Sequence, residues 1–164
     1  VIESVRANFK KDASIRTLLD LDGLIGETIE LVRGDLQRYG IQVKTEPAAL
    51  HPQIKGDPIQ LQQVLLNLIT NAIDSMASKE EPRILGVRSD VHEDGGVVVS
   101  VSDTGAGIAA QDIERIFNPL FTTKANGMGM GLPICRSIIE AHDGRLLVDS
   151  NNPRGTIFKF VLQP

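Results

Sequence analysis

One cysteine, Cys135, stands alone in a chain of 164 residues. That excludes an intrachain disulfide and a cysteine-rich zinc site, and the default setting it implies is reducing and cytoplasmic. A basic cluster is also missing: Lys10 and Lys11 form the only tight pair, and the formal net charge is −4. Nucleic-acid domains carry a clustered basic surface, so no nucleic-acid partner is expected. No apolar run reaches the roughly 18 residues a membrane helix needs, and no signal peptide opens the sequence. This chain is expected to make no membrane contact. G-K-[ST] occurs nowhere, which removes the P-loop.

What remains is ordinary globular usage, 41% hydrophobic and 23% charged. At this length a single domain buries roughly 70% of its unfolded surface. The sequence opens on Val1 rather than Met, with Ile2, Val5 and Phe9 at helical spacing. Residues 1–14 read as the tail of an upstream helix in a longer protein. From Leu21 to Tyr39 an i, i+3, i+4 rhythm predicts an amphipathic helix ended by Gly40. Ile41 to Thr45 alternates like a strand. Asp57-Pro58 then offers a cap and a first-turn proline. The helix it opens has the apolar stripe Leu61, Val64, Leu65, Leu68, Ala72, Ile73 and Met76. Strands are predicted at Arg83–Asp90 and Val97–Ser102 around Asp94-Gly95-Gly96. A short helix at about Ala110–Ile116 precedes a stretch rich in Gly, Thr and Asn. A helix over Leu132–Ala141 and two closing strands, Leu146–Ser150 and Thr156–Leu162, complete an α+β sandwich.

Four motifs could carry chemistry. Gly127, Gly129 and Gly131 alternate directly before a helix with Pro133 in its first turn. Backbone N–H groups there can approach a phosphate, and the helix start adds free donors; the alternative is an empty hinge. Asp103 to Gly107, D-T-G-A-G, ends a valine strand. Its carboxylate can accept from an exocyclic amine, with Gly105 and Gly107 letting a flat ring lie on the backbone. A plain turn, or half of a dimeric aspartic-protease dyad, reads equally from those residues. Asn67 and Asn71 lie four apart on one helix face, where their amide oxygens suit a Mg²⁺ that keeps its waters, or simply face solvent. Phe117 to Lys124, F-N-P-L-F-T-T-K, joins two aromatics to hydroxyls and an ammonium. It reads as a mobile phosphate-reaching segment or as a pinned loop. His51 and His92 have no ligand partners at useful spacing. His142, at a helix end, reads as a dipole contact, and Cys135 as a small core residue.

Taken in order, the Asn helix, strand-end D-x-G-x-G, F-x-P-x-F loop, G-x-G-x-G-L helix start and final R-G-T-x-F strand resemble a known family. It is the catalytic and ATP-binding domain of sensor histidine kinases, of the gyrase, chaperone, kinase and mismatch-repair ATPase superfamily. The resemblance covers roughly residues 20–162. It implies a two-layer α/β sandwich of Bergerat type, a mixed sheet of about five strands backed by three helices with a mobile ATP lid. Residues 1–19 then become the tail and linker of a dimerisation and phosphoacceptor helix, and 20–164 the catalytic domain.

Position by position, the resemblance makes Asn71 the Mg²⁺ ligand and Asn67 a second phosphate or metal contact, with Asp74 on the same face. Asp103 becomes the adenine reader, with Gly105, Gly107 and Ile108 around the ring. Phe117, Thr122, Thr123 and Lys124 fall in the lid, Lys124 with Asn67 acting on the phosphates. Gly127, Gly129, Gly131 and Leu132 form the glycine box, and Thr156 lies near adenine. Implied cofactors are ATP and Mg²⁺. Implied partners are the protein's own histidine-containing dimerisation domain and a response-regulator receiver, with the fragment monomeric and the parent a homodimer. Hydrolysing relatives carry Glu where Asn67 stands, and an amide cannot take water's proton. Arg154 also stands where a further glycine is frequent, and no histidine here has phosphoacceptor context. A non-catalytic, nucleotide-gated interaction module is the alternative.

Overall fold

The computed structural model describes residues 16–48, 51–118 and 131–163. The expected helix tail over 1–14 therefore lies outside the described residues, as do Thr122, Thr123, Lys124, Gly127 and Gly129. Among the described residues, chain order is β1 (Thr17–Asp20), α1 (Leu21–Leu31), α2 (Arg33–Arg38), β2 (Gln42–Glu46), β3 (Gln53–Gly56), α3 (Pro58–Ala77), β4 (Ile84–Val91), β5 (Val97–Ser102), α4 (Gly131–Ala141), β6 (Arg145–Ser150) and β7 (Thr156–Leu162).

Five of these strands form one sheet in the order β2-β4-β5-β7-β6. β2 runs parallel to β4 and every other pairing is antiparallel, so the sheet is mixed. Alternation puts one residue in two on the helix side. Val97, Val99 and Val101 of β5 face Leu162, Phe160 and Phe158 of β7, and all six are buried. Against that face lie Leu21, Leu24 and Ile25 of α1, the stripe from Leu61 to Met76 of α3, and Ile138 and Ile139 of α4. The other sheet face carries Arg88, Ser100, Lys159 and Leu147. This is the expected two-layer sandwich. Among the described residues no helix is long and apolar enough to cross a membrane.

Three local expectations are corrected. The single helix over Leu21–Tyr39 breaks at Val32, whose φ of −108° and ψ of 10° lie outside the helical well. Its N–H bonds Ile29 O at 3.1 Å, an i→i+3 closure, and Gly34 in the next turn is a weak helix former. The helix expected at Ala110–Ile116 is a 3₁₀ turn, Ala110–Asp112. Ile116 alone of that stretch is buried, too little packing to hold a helix that short. The third correction is an addition: β1 and β3 pair antiparallel as a separate ribbon, and β1 starts inside the stretch expected as linker. Each has four residues, and β3 offers one buried apolar side chain, Ile54.

That ribbon delivers the chain to the start of α3. Asp57 caps the helix, its Oδ1 accepting from the N–H groups of Ile59 and Gln60 at 3.0 and 3.2 Å. The N–H of Asp57 itself donates to Nε2 of buried His142 at 3.1 Å, while Nδ1–H of that ring donates to Ile138 O at 2.8 Å. His142 does meet its own helix end, as its position suggests, but its second bond joins the end of α4 to the start of α3. His142→Ala leaves a buried N–H without a partner and should cost about 2–3 kcal/mol. Thermal denaturation should show a melting point lower by several degrees.

Candidate nucleotide site

Two α3 residues and one strand-end carboxylate organise the site. The apolar stripe of α3 is committed to the core, which leaves the positions between its members less buried. Asn67 and Asn71 are half-buried there and Asp74, one turn on, is exposed. Asn67 touches α4: a Cβ placed on Gly131 would lie 3.9 Å from Asn67 Cγ. The Asn67 side chain also hydrogen-bonds Cys135. The fold therefore joins the first Asn to the end of the glycine-rich motif, although 64 positions separate Asn67 from Gly131. Thr70, on the same turn, bonds the carbonyls of Leu66 and Asn67 at 2.8 and 3.1 Å.

Asp103 is the other anchor, and it is buried. Its Oδ1 accepts from Gly105 N–H at 2.9 Å and Thr156 N–H at 3.3 Å. Its own N–H donates to Thr156 O at 3.0 Å, and its carbonyl accepts from Asn151 Nδ2 at 2.7 Å. Among the described residues both carboxylate bonds fall on Oδ1 and none on Oδ2. Burial raises the Asp103 pKa above its ordinary value, the two backbone N–H bonds offsetting part of that rise. Asp103 thus caps its own turn through Gly105, but from a buried position rather than a solvated one.

Gly105 and Gly155 close this corner. A Cβ at Gly105 would sit 2.2 Å from Ser75 Oγ and 2.6 Å from Ser75 C, so the turn lies directly on the last coils of α3. Ser75 Oγ also accepts from Ala106 N–H at 3.0 Å. A Cβ at Gly155 would fall 2.0 Å from Asp103 O, and one at Gly107 would lie 3.4 Å from Gly155 O. Ser75, Asn151 and Gly155 thus pack against or hydrogen-bond the 103–107 turn, and sequence reasoning passed over them. Signals existed: Ser75 lies four after Asn71, and N-N-P-R-G-T is a turn leading into a strand.

The remaining predicted residues divide. Ile108, Phe117 and Leu132 pack partly buried against the core. Phe117 lies under the Arg136 guanidinium of α4, 5.4 Å from ring centroid to Cζ, an arrangement worth about 0.5–1 kcal/mol at an exposed site. That ties the start of the F-N-P-L-F segment to the helix that follows it. Thr156 contributes its backbone to Asp103, as above. Cys135 is buried, and desolvation pushes its thiol up to about 11, with the Asn67 side chain opposing. It is a thiol at neutral pH and packs as a core residue. Among the described residues no group of three His, Cys, Asp or Glu side chains could hold a metal.

The α3 asparagines, the buried Asp103 carboxylate and the Gly131 helix start belong to a two-layer α/β sandwich with a mixed five-stranded sheet. Comparison with known proteins agrees. Residues 56–164 match the histidine kinase-, DNA gyrase B- and HSP90-like ATPase family, and the chain belongs to it. The Escherichia coli K12 sensor histidine kinase ZraS is 39% identical over 144 residues, 88% of this chain, and the chain spans 30% of that protein. The catalytic domain of histidine kinase ThkA superposes with a TM-score of 0.80 at 31% identity, covering 90% of this chain and 95% of that domain. ThkA in complex with the response regulator protein TrrA gives a TM-score of 0.78 at 30% identity, over 90% of this chain and 41% of that one. The chain is an ATP-binding catalytic domain of the sensor histidine kinase type.

Proposed function

We propose that this domain holds Mg·ATP for transfer of its γ-phosphoryl group to a histidine Nε2 on a separate helical hairpin. The phosphoryl group then passes to an aspartate of a response-regulator receiver. Residues 1–19 are the end of that hairpin and its linker in this reading, and the whole protein is a homodimer. The observation that carries it is Asp103, buried, its Oδ1 fixed by two backbone N–H groups and its carbonyl by the Asn151 amide, with Oδ2 in this reading accepting from the adenine amine.

In this reading Gly105, Gly107, Ile108 and Thr156 surround the base. Asn67, Asn71 and Asp74 face the phosphates along α3, with Gly131 and Leu132 at the helix start beyond them. Thr122, Thr123, Lys124, Gly127 and Gly129 come from the segment between Phe117 and α4, Lys124 neutralising phosphate charge. The donor types on α3 suit Mg²⁺: amide oxygens are hard ligands, and the ion needs only one or two protein oxygens beside water and phosphate. Asn71 would hold the ion, whose contribution when bound is to offset phosphate charge. Asn67 offers no base for water, so the domain should hydrolyse ATP slowly and keep the phosphoryl group for transfer.

Calorimetric titration with ATP, with and without Mg²⁺ and against GTP, tests the binding. Adenine should be preferred and Mg²⁺ should strengthen the complex. Asn71→Ala should weaken Mg·ATP binding by about ten-fold while leaving Mg-free ATP close to the parent. Labelled phosphate appearing on a histidine hairpin supplied in trans supports the kinase. Tight ATP binding without transfer to such hairpins supports the nucleotide-gated module instead.

A further inference from the structure

We propose that Arg154, the residue that breaks the glycine pattern of the last motif, is a positioning residue that holds the base-reading turn in place. Its Nε donates to Thr104 O at 2.6 Å. Its Nη2 donates to Glu80 O and, at 3.3 Å, to Pro82 O. One guanidinium therefore joins the carbonyl next to Asp103 to the connection between α3 and β4. The hydroxyl of Thr104 points the same way, donating to Pro82 O at 2.7 Å and accepting from Ile84 N–H at 3.0 Å. Asn151, from the same turn as Arg154, takes the preceding carbonyl, Asp103 O. Two side chains of one turn thus fix the two consecutive peptides that flank Thr104, and the second of these carries the Gly105 N–H that binds the Asp103 carboxylate. A planar fork with several donors suits this task, whereas Lys offers a single point charge.

Arg83 provides the comparison. It lies within the same connection and binds Lys79 O at 2.8 Å and Ala77 O at 3.3 Å, reaching across to Tyr39 O at the end of α2 at 2.6 Å. None of those bonds reaches residues 103–105. If Arg154 only stabilised the connection, Arg83 would be its equivalent.

The inference rests on Asp103 as the adenine reader, so its test reads the two separately. Arg154→Ala, Arg154→Lys and Arg83→Ala are compared with the parent by titration with ATP and GTP, and by amide hydrogen exchange at Gly105 and Ala106. Arg154→Ala should weaken ATP about ten-fold, the scale on which one charge-assisted hydrogen bond is felt. It should also narrow the ATP over GTP preference and speed exchange at both amides. Arg154→Lys should recover part of the loss, and Arg83→Ala should melt earlier yet keep the preference. Unchanged affinity and exchange in Arg154→Ala, or an equal loss of preference in Arg83→Ala, overturns the proposal. A parent that binds ATP and GTP alike removes the adenine reading itself, and the positioning role with it. Should Arg154→Ala fold poorly, Arg154→Lys carries the comparison at a temperature where circular dichroism shows it folded.

Discussion

Asp103→Asn should lower ATP affinity on the order of a hundred-fold while leaving the ligand-free domain as stable as the parent, or more so. The two effects have one cause. Asp103 is buried, and desolvation raises its pKa against the opposing N–H bonds of Gly105 and Thr156. A carboxyl whose folded pKa is raised contributes stability below the ordinary carboxylate value, and loses it as pH rises through the raised one. At neutral pH the ionised group is therefore a cost to the free domain. Asn keeps an oxygen for the two backbone N–H groups and removes the buried charge. It then places an NH₂ where Oδ2 stood, donor against donor at the adenine amine, and a mispaired buried donor is the expensive case. Titration calorimetry and thermal denaturation on the same samples give both numbers. A melting point well below the parent would show that the charge stabilises the free fold. In the parent, ATP affinity should also fall on acidification through the raised Asp103 pKa, and Asp103→Asn should flatten that dependence.

Gly155→Ala should have the largest effect on the fold itself, about 3–5 kcal/mol, which for a domain of this size lowers the melting temperature by roughly 6–20 °C. Gly155 has φ +109°, and a Cβ there would fall 2.0 Å from Asp103 O and 2.7 Å from Asp103 C. The obstructing atoms are backbone, so no rotamer change relieves the contact. Moving them means breaking the Asp103–Thr156 ladder, where N–H meets Thr156 O at 3.0 Å, and with it the direction of the carboxylate. Gly107→Ala is the control: its φ of +76° is also unfavourable, but the nearest atom is Gly155 O at 3.4 Å, and about 1–2 kcal/mol should suffice. Equal melting points for the two variants would mean that the 155 turn gives way and that Asp103 is not held by it.

The contrast between those glycines shows where sequence reasoning reached its end. Gly105, Gly107 and Gly131 are legible because they stand in short periodic motifs beside a strand end or a helix start. Gly155 and Arg154 belong to a motif whose spacing is ordinary, and their importance comes from residues about fifty positions earlier. The cap Asp57-Pro58, the stripe of α3 and the alternation of β5 are local patterns of period 3.6 or 2, and they fold as read. The ribbon of β1 and β3 escapes notice because four-residue strands with little buried apolar area carry no periodic signal. Val32 escapes because the apolar rhythm continues across it, and spacing does not encode the backbone dihedrals that break the helix there.

The amino-acid sequence by itself determined the elements, their inward faces, the order of the motifs and hence the family, since each is a matter of local spacing and residue chemistry. The tertiary structure decided the contacts of the corner: that Asn67 meets Gly131, that Ser75 lies under Gly105, and that two backbone N–H groups meet one oxygen of a buried Asp103. Those are contacts between distant segments, set by which β-strands pair and how the α3–α4 layer rests on them, and no local pattern encodes a distance across a sheet.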